Sequence, residues 1–182
     1  MIRLFVALVP PQSVRGSLAD LGRGIPGVRW MPPESLHLTL RFLGEVEEGL
    51  AREIDAALLG VRWSPVPVRL RDLGVFGKGA RRHTLWAGVE PGPALAGLKG
   101  RIDASLRPLG IAGDARQFSP HITLARLTRP HEERLQAFIE GASLLVGGTF
   151  VADSFTLFSS HLGREGPHYE PWATYPLEEP RG

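Results

Sequence analysis

The strongest constraint on this chain is a short stretch that occurs twice. Residues 35–40 read SLHLTL and residues 119–124 read SPHITL, so Ser-x-His-x-Thr-Leu is repeated with its histidines, His37 and His121, 84 positions apart. In a chain with only 6 histidines, two such matches with the same flanking residues are not expected by chance. The repeat favours a fold of two similar halves, each supplying one copy of the motif.

Apolar periodicity divides the chain into alternating strands and helices. Short apolar runs predict strands at residues 2–9, 36–43, 66–76, 84–90, 121–127, 149–158 and 169–177. Apolar residues at three- and four-residue spacing predict helices at residues 11–21, 47–59 and 93–106, and a fourth that starts near Pro130. Residues 22–33 and 161–168 contain several Gly and Pro and are predicted loops.

The order of these elements, together with the repeated motif, predicts an α+β fold. We expect two pseudo-symmetric lobes of antiparallel sheet with outer helices and a central cleft between the lobes. No linker-like or low-complexity segment divides the chain. Residues 1–182 are therefore predicted to form a single domain in which both lobes pack as one unit.

Composition limits the chemistry and the location that can be expected. The chain has no cysteine, which excludes disulfides, thiolate nucleophiles and cysteine-based zinc sites. No apolar run approaches the roughly 20 residues of a membrane span, so we expect a cytoplasmic protein without membrane association. Nothing in the sequence marks an obligate protein partner, and a monomer is expected. Of the 21 basic residues, only Lys78 and Lys99 are lysines, and arginine suits phosphate because it donates two parallel hydrogen bonds.

Strand alternation assigns the motif residues to faces. Successive side chains on a strand point to opposite faces, so His37 and Thr39 share one face, and Phe42 is assigned with the leucines to the core face. In the second copy, His121 and Thr123 share a face in the same way. If the two strands lie side by side, two imidazoles and two hydroxyls converge on one cleft.

This set of groups is typical of chemistry at phosphorus. Hydrolysis of a phosphodiester needs a base that activates the attacking group and an acid that protonates the departing oxygen. Histidine can do either near neutral pH because its ordinary pKa is about 6.5. Threonine hydroxyls can bind the non-bridging oxygens. No metal or cofactor is then required, and the residues leave open which histidine is the acid.

Each motif is followed by an arginine on the same strand. Arg41 lies on the face of His37 by strict alternation, where it would attract a phosphate. Arg126 falls on the face opposite His121 by the same alternation, and only a bulge or its long side chain could bring it to the face of that histidine. His161 and His168 flank a Gly-rich loop and are candidates for the mouth of the cleft. A zinc site is disfavoured because threonine is a poor zinc ligand and no carboxylate has supporting spacing.

The quoted stretches carry a family resemblance. PPESLHLTLRFLG and FSPHITLAR, with the RLFVALVP start, HTLWAGV and the late FTLFSSHLGREGPHYEP, resemble the two-histidine (2H) phosphoesterase superfamily. More narrowly, they are similar to the bacterial and archaeal RNA 2′,3′-cyclic phosphodiesterases, also called 2′-5′ RNA ligases. The resemblance implies a bilobal fold with the cleft between the lobes, and hydrolysis of RNA 2′,3′-cyclic phosphate ends to a 2′-phosphomonoester.

The same resemblance implies roles for single residues. His37 would donate a proton to the departing 3′ oxygen, and His121 would accept a proton from water. Thr39 and Thr123 would hold the phosphate oxygens, and Arg126 would contact the substrate. The family can also run the reverse reaction, joining RNA ends through a 2′-5′ linkage without ATP.

Two other functions remain open at this point. A phosphodiesterase could act on a small cyclic phosphate, such as a nucleotide or an ADP-ribose derivative, in which case a closed pocket is expected rather than a basic groove. A non-catalytic RNA-binding module could keep the fold without turnover. Intact histidines in both motifs argue against the binding module, because a pure binder has no need of a paired acid and base.

Overall fold

One antiparallel sheet contains every strand of the described residues. This computed structural model describes residues 1–22, 24–114, 116–143, 146–163 and 166–179. The elements follow in the order β1 (Ile2–Leu8), α1 (Gln12–Asp20), β2 (Val28–Trp30), β3 (Leu38–Val46), α2 (Glu48–Leu59), β4 (Val66–Phe76), β5 (Thr84–Val89), α3 (Pro93–Leu106), β6 (His121–Leu127), α4 (Glu132–Ala142), β7 (Gly148–Ala152), β8 (Ser154–Gly163) and β9 (Gly166–Pro176).

The sheet has two halves that meet at the motif strands. Its order is β7-β4-β5-β6-β3-β1-β8-β9, with β2 also paired to β6. The strands β3 and β6 pair antiparallel at one position, Leu38 with Ile122. The half that contains β6 comes from the middle of the chain, whereas the half that contains β3 is assembled from both ends. The predicted α+β class with antiparallel sheet is confirmed.

The helices bury the apolar positions that their spacing predicted. Leu98 and Ile102 of α3 and Ile54 of α2 are fully buried, in one core with Leu38 and Ile122 of the motif strands. Full burial of one such side chain stabilises the fold by about 1.5–3 kcal/mol, so this layer fixes the motif strands from their apolar side. None of the helices in the described residues has the length and apolar character that a bilayer span requires.

A β-bulge in β3 reverses two of the predicted faces. Against β1, Thr39 pairs with Ala7 but Arg41 pairs with Val6, so Leu40 is an extra residue. An extra residue inverts the alternation of the residues that follow it, here Arg41 and Phe42, because Leu43 is a second extra residue against β1. Arg41 is therefore buried with 6% exposure, and Phe42 is 68% exposed. The predictions that Arg41 shares the face of His37 and that Phe42 belongs to the core are wrong.

The strand β6 contains a bulge at the equivalent position. Against β5, Trp86 pairs with Thr123 but Leu85 pairs with Ala125, so Leu124 is the extra residue. The bulge turns Arg126 to the face of His121 and Thr123. Strict alternation placed this arginine on the opposite face. Both motifs thus continue into the same local geometry three residues after the histidine.

Three other segments differ from the prediction. The short strand β2 lies inside the predicted loop 22–33 and pairs with β6. The predicted strand 149–158 is two strands, β7 and β8, separated at Asp153. Most of the predicted loop 161–168 continues β8 and β9 as a hairpin, since His161 pairs with His168 and Gly163 with Gly166. Residues 164 and 165 lie outside the described residues.

Candidate active site

A cleft of about 610 Å³ opens on the polar face of the two motif strands. His37, Thr39, His121 and Thr123 all line it. Because Leu38 pairs with Ile122 in antiparallel register, His37 lies beside Thr123 and Thr39 lies beside His121. The structure therefore brings together the four residues that the two motifs predicted, around a local two-fold arrangement.

Both histidines are held in the same tautomer. The Nδ1–H of His37 donates to the carbonyl oxygen of Ser35 at 2.8 Å, and the Nδ1–H of His121 donates to the carbonyl oxygen of Ser119 at 2.8 Å. A carbonyl oxygen only accepts, so Nδ1 carries the proton in both rings. The Nε2 atom of each ring is left to exchange a proton with a bound group. The residue two before each histidine thus contributes its carbonyl to the motif.

Aromatic rings hold the two imidazoles in place. The ring of His37 lies 4.8 Å from Phe5 and 5.1 Å from Tyr169, which meets it edge-on. The ring of His121 lies 4.9 Å from Phe76, also edge-on, and 6.2 Å from Trp86. Sequence reasoning missed this role, because these aromatic residues are distant in the chain and only the strand pairing brings them to the histidines.

The two imidazoles have unequal surroundings. Burial, together with the nearby His121 and Arg126, lowers the pKa of His37 to about 4, against the opposing effect of the hydrogen bond to the Ser35 carbonyl. In the ligand-free protein at neutral pH, His37 is therefore uncharged.

Two arginines stand side by side in the cleft. Arg29 on β2 is directly opposite Arg126 on β6, and both line the cleft. The Nη1 atom of Arg126 donates to Oγ1 of the buried Thr84 at 3.1 Å, and the guanidinium of Arg29 lies against Gly166 in the β8–β9 hairpin. Two guanidinium groups on paired strands suit an anion. Sequence reasoning missed Arg29 because it assigned β2 to a loop.

Exposed apolar side chains line the cleft beyond the histidines. Phe42 lies four residues after Leu38 on β3, and Arg126 lies four residues after Ile122 on β6. Because these two strands are antiparallel and pair at Leu38 and Ile122, Phe42 and Arg126 lie on opposite sides of that pair. Phe42 and Leu162 both line the cleft, and Leu162 is 78% exposed. Apolar rings and branches exposed in a cleft are typical of ligand contacts. The cleft therefore combines a strongly basic part with an apolar one.

Three predicted candidates lie elsewhere. Arg41 does not line the cleft, because the bulge turns it into the protein. His161 and His168 lie on the outer face of the hairpin, where their Nε2 atoms are 3.7 and 3.6 Å from Glu170 carboxylate oxygens. Across the described part of the chain, no three His, Asp or Glu side chains are grouped closely enough to hold a metal ion.

The LigT like Phosphoesterase family model matches the chain twice, over residues 8–86 and over residues 88–169. The chain belongs to this family. Each match contains one of the two His-x-Thr stretches, so the repeat seen in the sequence and the local two-fold arrangement of the cleft describe the same duplication.

Named relatives and solved structures agree with the family assignment. The chain is 34% identical over 173 residues to the RNA 2′,3′-cyclic phosphodiesterase of Archaeoglobus fulgidus, covering 93% of this chain and 97% of the relative. It is 33% identical over 160 residues to the enzyme of the same name from Aeropyrum pernix, covering 86% and 89%. Both relatives are covered over most of their length, so the likeness is not confined to the motifs.

Two solved structures show the same fold. A protein of Thermus thermophilus superimposes with a TM-score of 0.82 at 29% identity, covering 98% of this chain and 100% of that one. Escherichia coli LigT complexed with 3′-AMP superimposes with a TM-score of 0.76 at 25% identity, covering 98% and 99%. The LigT-like phosphoesterase fold therefore extends over nearly the whole chain.

Proposed function

We propose that the protein is an RNA 2′,3′-cyclic phosphodiesterase that opens cyclic phosphate ends to 2′-phosphomonoesters. The observation that carries this proposal is the pair of imidazoles in one cleft, each with Nδ1–H bound to a carbonyl and Nε2 left for proton transfer. The names of the relatives from Archaeoglobus fulgidus and Aeropyrum pernix support the same substrate. The complex of Escherichia coli LigT with 3′-AMP supports a nucleotide ligand.

The reaction needs two proton transfers at one phosphorus. His121 Nε2 takes a proton from water as the water oxygen bonds to phosphorus. The bond from phosphorus to O3′ then breaks, and His37 Nε2–H gives its proton to O3′, so that the phosphate stays on O2′. Thr39 and Thr123 donate hydrogen bonds to the non-bridging oxygens as their charge grows. His121 afterwards releases a proton to solvent, and His37 takes one up.

His37 must acquire the proton that it donates. The ring is uncharged in the ligand-free protein because burial and the neighbouring Arg126 disfavour the imidazolium. A phosphate anion bound between the histidines reverses that balance, since an opposite charge within about 4–6 Å favours the charged form. The substrate thus prepares its own acid, and His121 remains the base that activates water.

The basic part of the cleft favours RNA over a small cyclic nucleotide. A cyclic phosphate diester carries one negative charge, yet both Arg29 and Arg126 line the cleft in addition to the two histidines. A second arginine suits a second phosphate, such as the phosphodiester that precedes the terminal nucleotide in an RNA strand. In the ligation reaction a ribose hydroxyl takes the place of water: His121 takes its proton, His37 protonates O3′ as in hydrolysis, and a 2′-5′ linkage forms.

The test is a hydrolysis assay on an RNA oligonucleotide ending in 2′,3′-cyclic phosphate, with excess EDTA. We expect the wild type to open the ring to a 2′-phosphate, and His37→Ala and His121→Ala each to lose about 10²–10⁴-fold in rate. The control is His161→Ala, which removes a histidine outside the cleft and should retain the rate. Activity that survives both cleft variants, or that requires added metal, contradicts the mechanism.

The same assay separates the two substrate classes. If Arg29 and Arg126 hold a second phosphate, the oligonucleotide should react with a higher kcat/KM than 2′,3′-cyclic AMP, and the advantage should shrink as salt rises. Equal values for both substrates at all salt concentrations would instead favour the small cyclic phosphate. Binding of the oligonucleotide without any turnover would favour the RNA-binding module.

A further inference from the structure

Arg41 is buried beside the first motif and reaches into the second half of the chain. Its Nη2 atom donates to the carbonyl oxygen of Ala112, and Nη1 lies 3.7 Å from Oδ1 of Asp103 on α3. A buried guanidinium is costly unless anions and carbonyls surround it. The partners of this one are the Ala112 carbonyl and the Asp103 carboxylate, so the strand of His37 contacts two points that precede the strand of His121 in the chain.

Lys99 on α3 links Asp103 to Phe118. Its Nζ atom lies 2.6 Å from Oδ2 of Asp103 and 5.5 Å from the ring centroid of Phe118, over the ring. A cation over an aromatic face is worth about 0.5–2 kcal/mol. Asp103 therefore sits between two cations, one that grips the Ala112 carbonyl and one that holds Phe118.

Phe118 lies next to the residue whose carbonyl fixes His121. Ser119 directly follows Phe118, and its carbonyl accepts the Nδ1–H of His121 at 2.8 Å. The next residue, Pro120, is tied to β5 by the hydrogen bond from Val89 N–H to its carbonyl, at 3.1 Å. The position of the Ser119 carbonyl thus depends on contacts at both of its sides, Phe118 and Pro120.

We propose that Arg41, Asp103 and Lys99 form a positioning network that sets the tautomer and orientation of His121 from the strand of the other motif. Arg41 acts through Asp103, Lys99 and Phe118 on the neighbouring Ser119 carbonyl and does not touch the substrate. The catalytic consequence of the network rests on the proposed function, whereas its effect on the His121 ring does not.

The first test reads the ring directly. Proton–nitrogen correlation spectra of the histidine rings distinguish a proton on Nδ1 from one on Nε2. In the wild type, neutral His121 and neutral His37 should both carry it on Nδ1. In Arg41→Met we expect His121 to lose that single form and to populate the Nε2–H tautomer, while His37 keeps its signals. Arg41→Lys, which can still donate to one of the two acceptors, should restore part of the His121 signal.

Activity provides the second readout. Displacement of the base should lower kcat of Arg41→Met about 10- to 100-fold and leave KM largely unchanged, because the groups that bind phosphate stay on their strands. The matched control is Tyr175→Phe, which removes a partly buried 2.6 Å hydrogen bond to Asp55, at a residue that does not line the cleft. At a similar loss of thermal stability, it should change neither kcat nor the His121 signals.

Two outcomes would refute the positioning network, and a third would separate it from the proposed function. If Arg41→Met lowers stability but His121 keeps its Nδ1–H form and kcat, Arg41 is only structural and the proposal fails. If Arg41→Met does not fold, Lys99→Met must show the same loss of the His121 tautomer, since it releases Phe118 from Asp103, and an unchanged ring again refutes the network. If the wild type does not hydrolyse cyclic phosphate RNA ends, the proposed function fails, while the tautomer shift still supports the network.

Discussion

At the scale of single residues, the two histidines share their motif and their tautomer but not their environment. His37 is enclosed by Phe5, Phe158 and Tyr169, and burial lowers its pKa to about 4. A buried neutral imidazole is a poor acid until an anion arrives beside it. The unequal environment therefore supports a cycle in which His37 takes up its proton when the substrate binds, and not one in which His37 is already protonated in the ligand-free protein.

We expect an anion in the cleft to raise the pKa of His37. Sulfate is a suitable probe because its charge is constant over the range in which histidine titrates. Nuclear magnetic resonance titration should give a pKa near 4 without sulfate and a value more than about one unit higher with saturating sulfate. Between those two values binding takes up a proton, so sulfate affinity should rise as pH falls through the pKa of the complex.

The control for this prediction is His37→Gln, which cannot take up the proton and should show a weaker rise in sulfate affinity over the same pH range. His131, an exposed histidine at the start of α4, serves as a reference signal within the same spectra. A pKa of His37 that stays near 4 with sulfate bound would contradict the idea that the substrate supplies its own acid.

At the scale of elements, the paired bulges decide which side chains reach the substrate. Each lies three residues after its histidine, at Leu40 in β3 and at Leu124 in β6. The residue five positions after the histidine then faces the cleft, and this residue is Phe42 in the first motif and Arg126 in the second. A duplicated backbone thus presents a ring at one end of the cleft and a guanidinium at the other.

We expect Phe42→Ala to weaken binding of RNA ends without loss of stability. Stacking of a base on an aromatic ring is worth about 1–3 kcal/mol, which corresponds to a roughly 5- to 150-fold rise in KM, and a 68% exposed side chain contributes little to folding. The matched control is Leu59→Ala, which truncates a 64% exposed side chain at the end of α2. An unchanged KM for Phe42→Ala, or an equal rise for Leu59→Ala, would show that Phe42 does not bind the base.

The strands and the central four residues were predictable from the sequence, and the bulges were not. Period-two patterning located β3 and β6 and placed each threonine on the same face as the histidine of its own motif, because no bulge intervenes between them. Nothing in the sequence marks Leu40 as an extra residue, so alternation assigned Arg41 and Phe42 to the wrong faces. The same limit hid the role of Arg29, since three residues are too few to show a period and β2 exists only through its pairing with β6.

At the scale of the whole molecule, neither half of the sheet carries a complete set of groups. The half formed by β4, β5, β6 and β7 supplies His121, and the half formed by β3, β1, β8 and β9 carries the strand that follows His37. The second of these halves joins the two ends of the chain, so the β8–β9 hairpin brings Tyr169 against His37. A chain that folds into this sheet necessarily assembles both imidazoles over one cleft.

This arrangement predicts that the two histidines act as one unit on one phosphorus. We expect His37→Ala and His121→Ala each to lower kcat by about 10²–10⁴-fold, and the double variant to be no slower than the slower single one, because once either proton transfer is lost the other has no reaction to assist. The measurement is single-turnover hydrolysis of the cyclic phosphate oligonucleotide by all four proteins. A His37→Ala, Leu59→Ala double variant, which should react like His37→Ala alone, controls for a second substitution as such. If the two losses multiply in the histidine double variant, the imidazoles contribute independently, and the view that the two halves of the sheet complete a single acid–base pair is wrong.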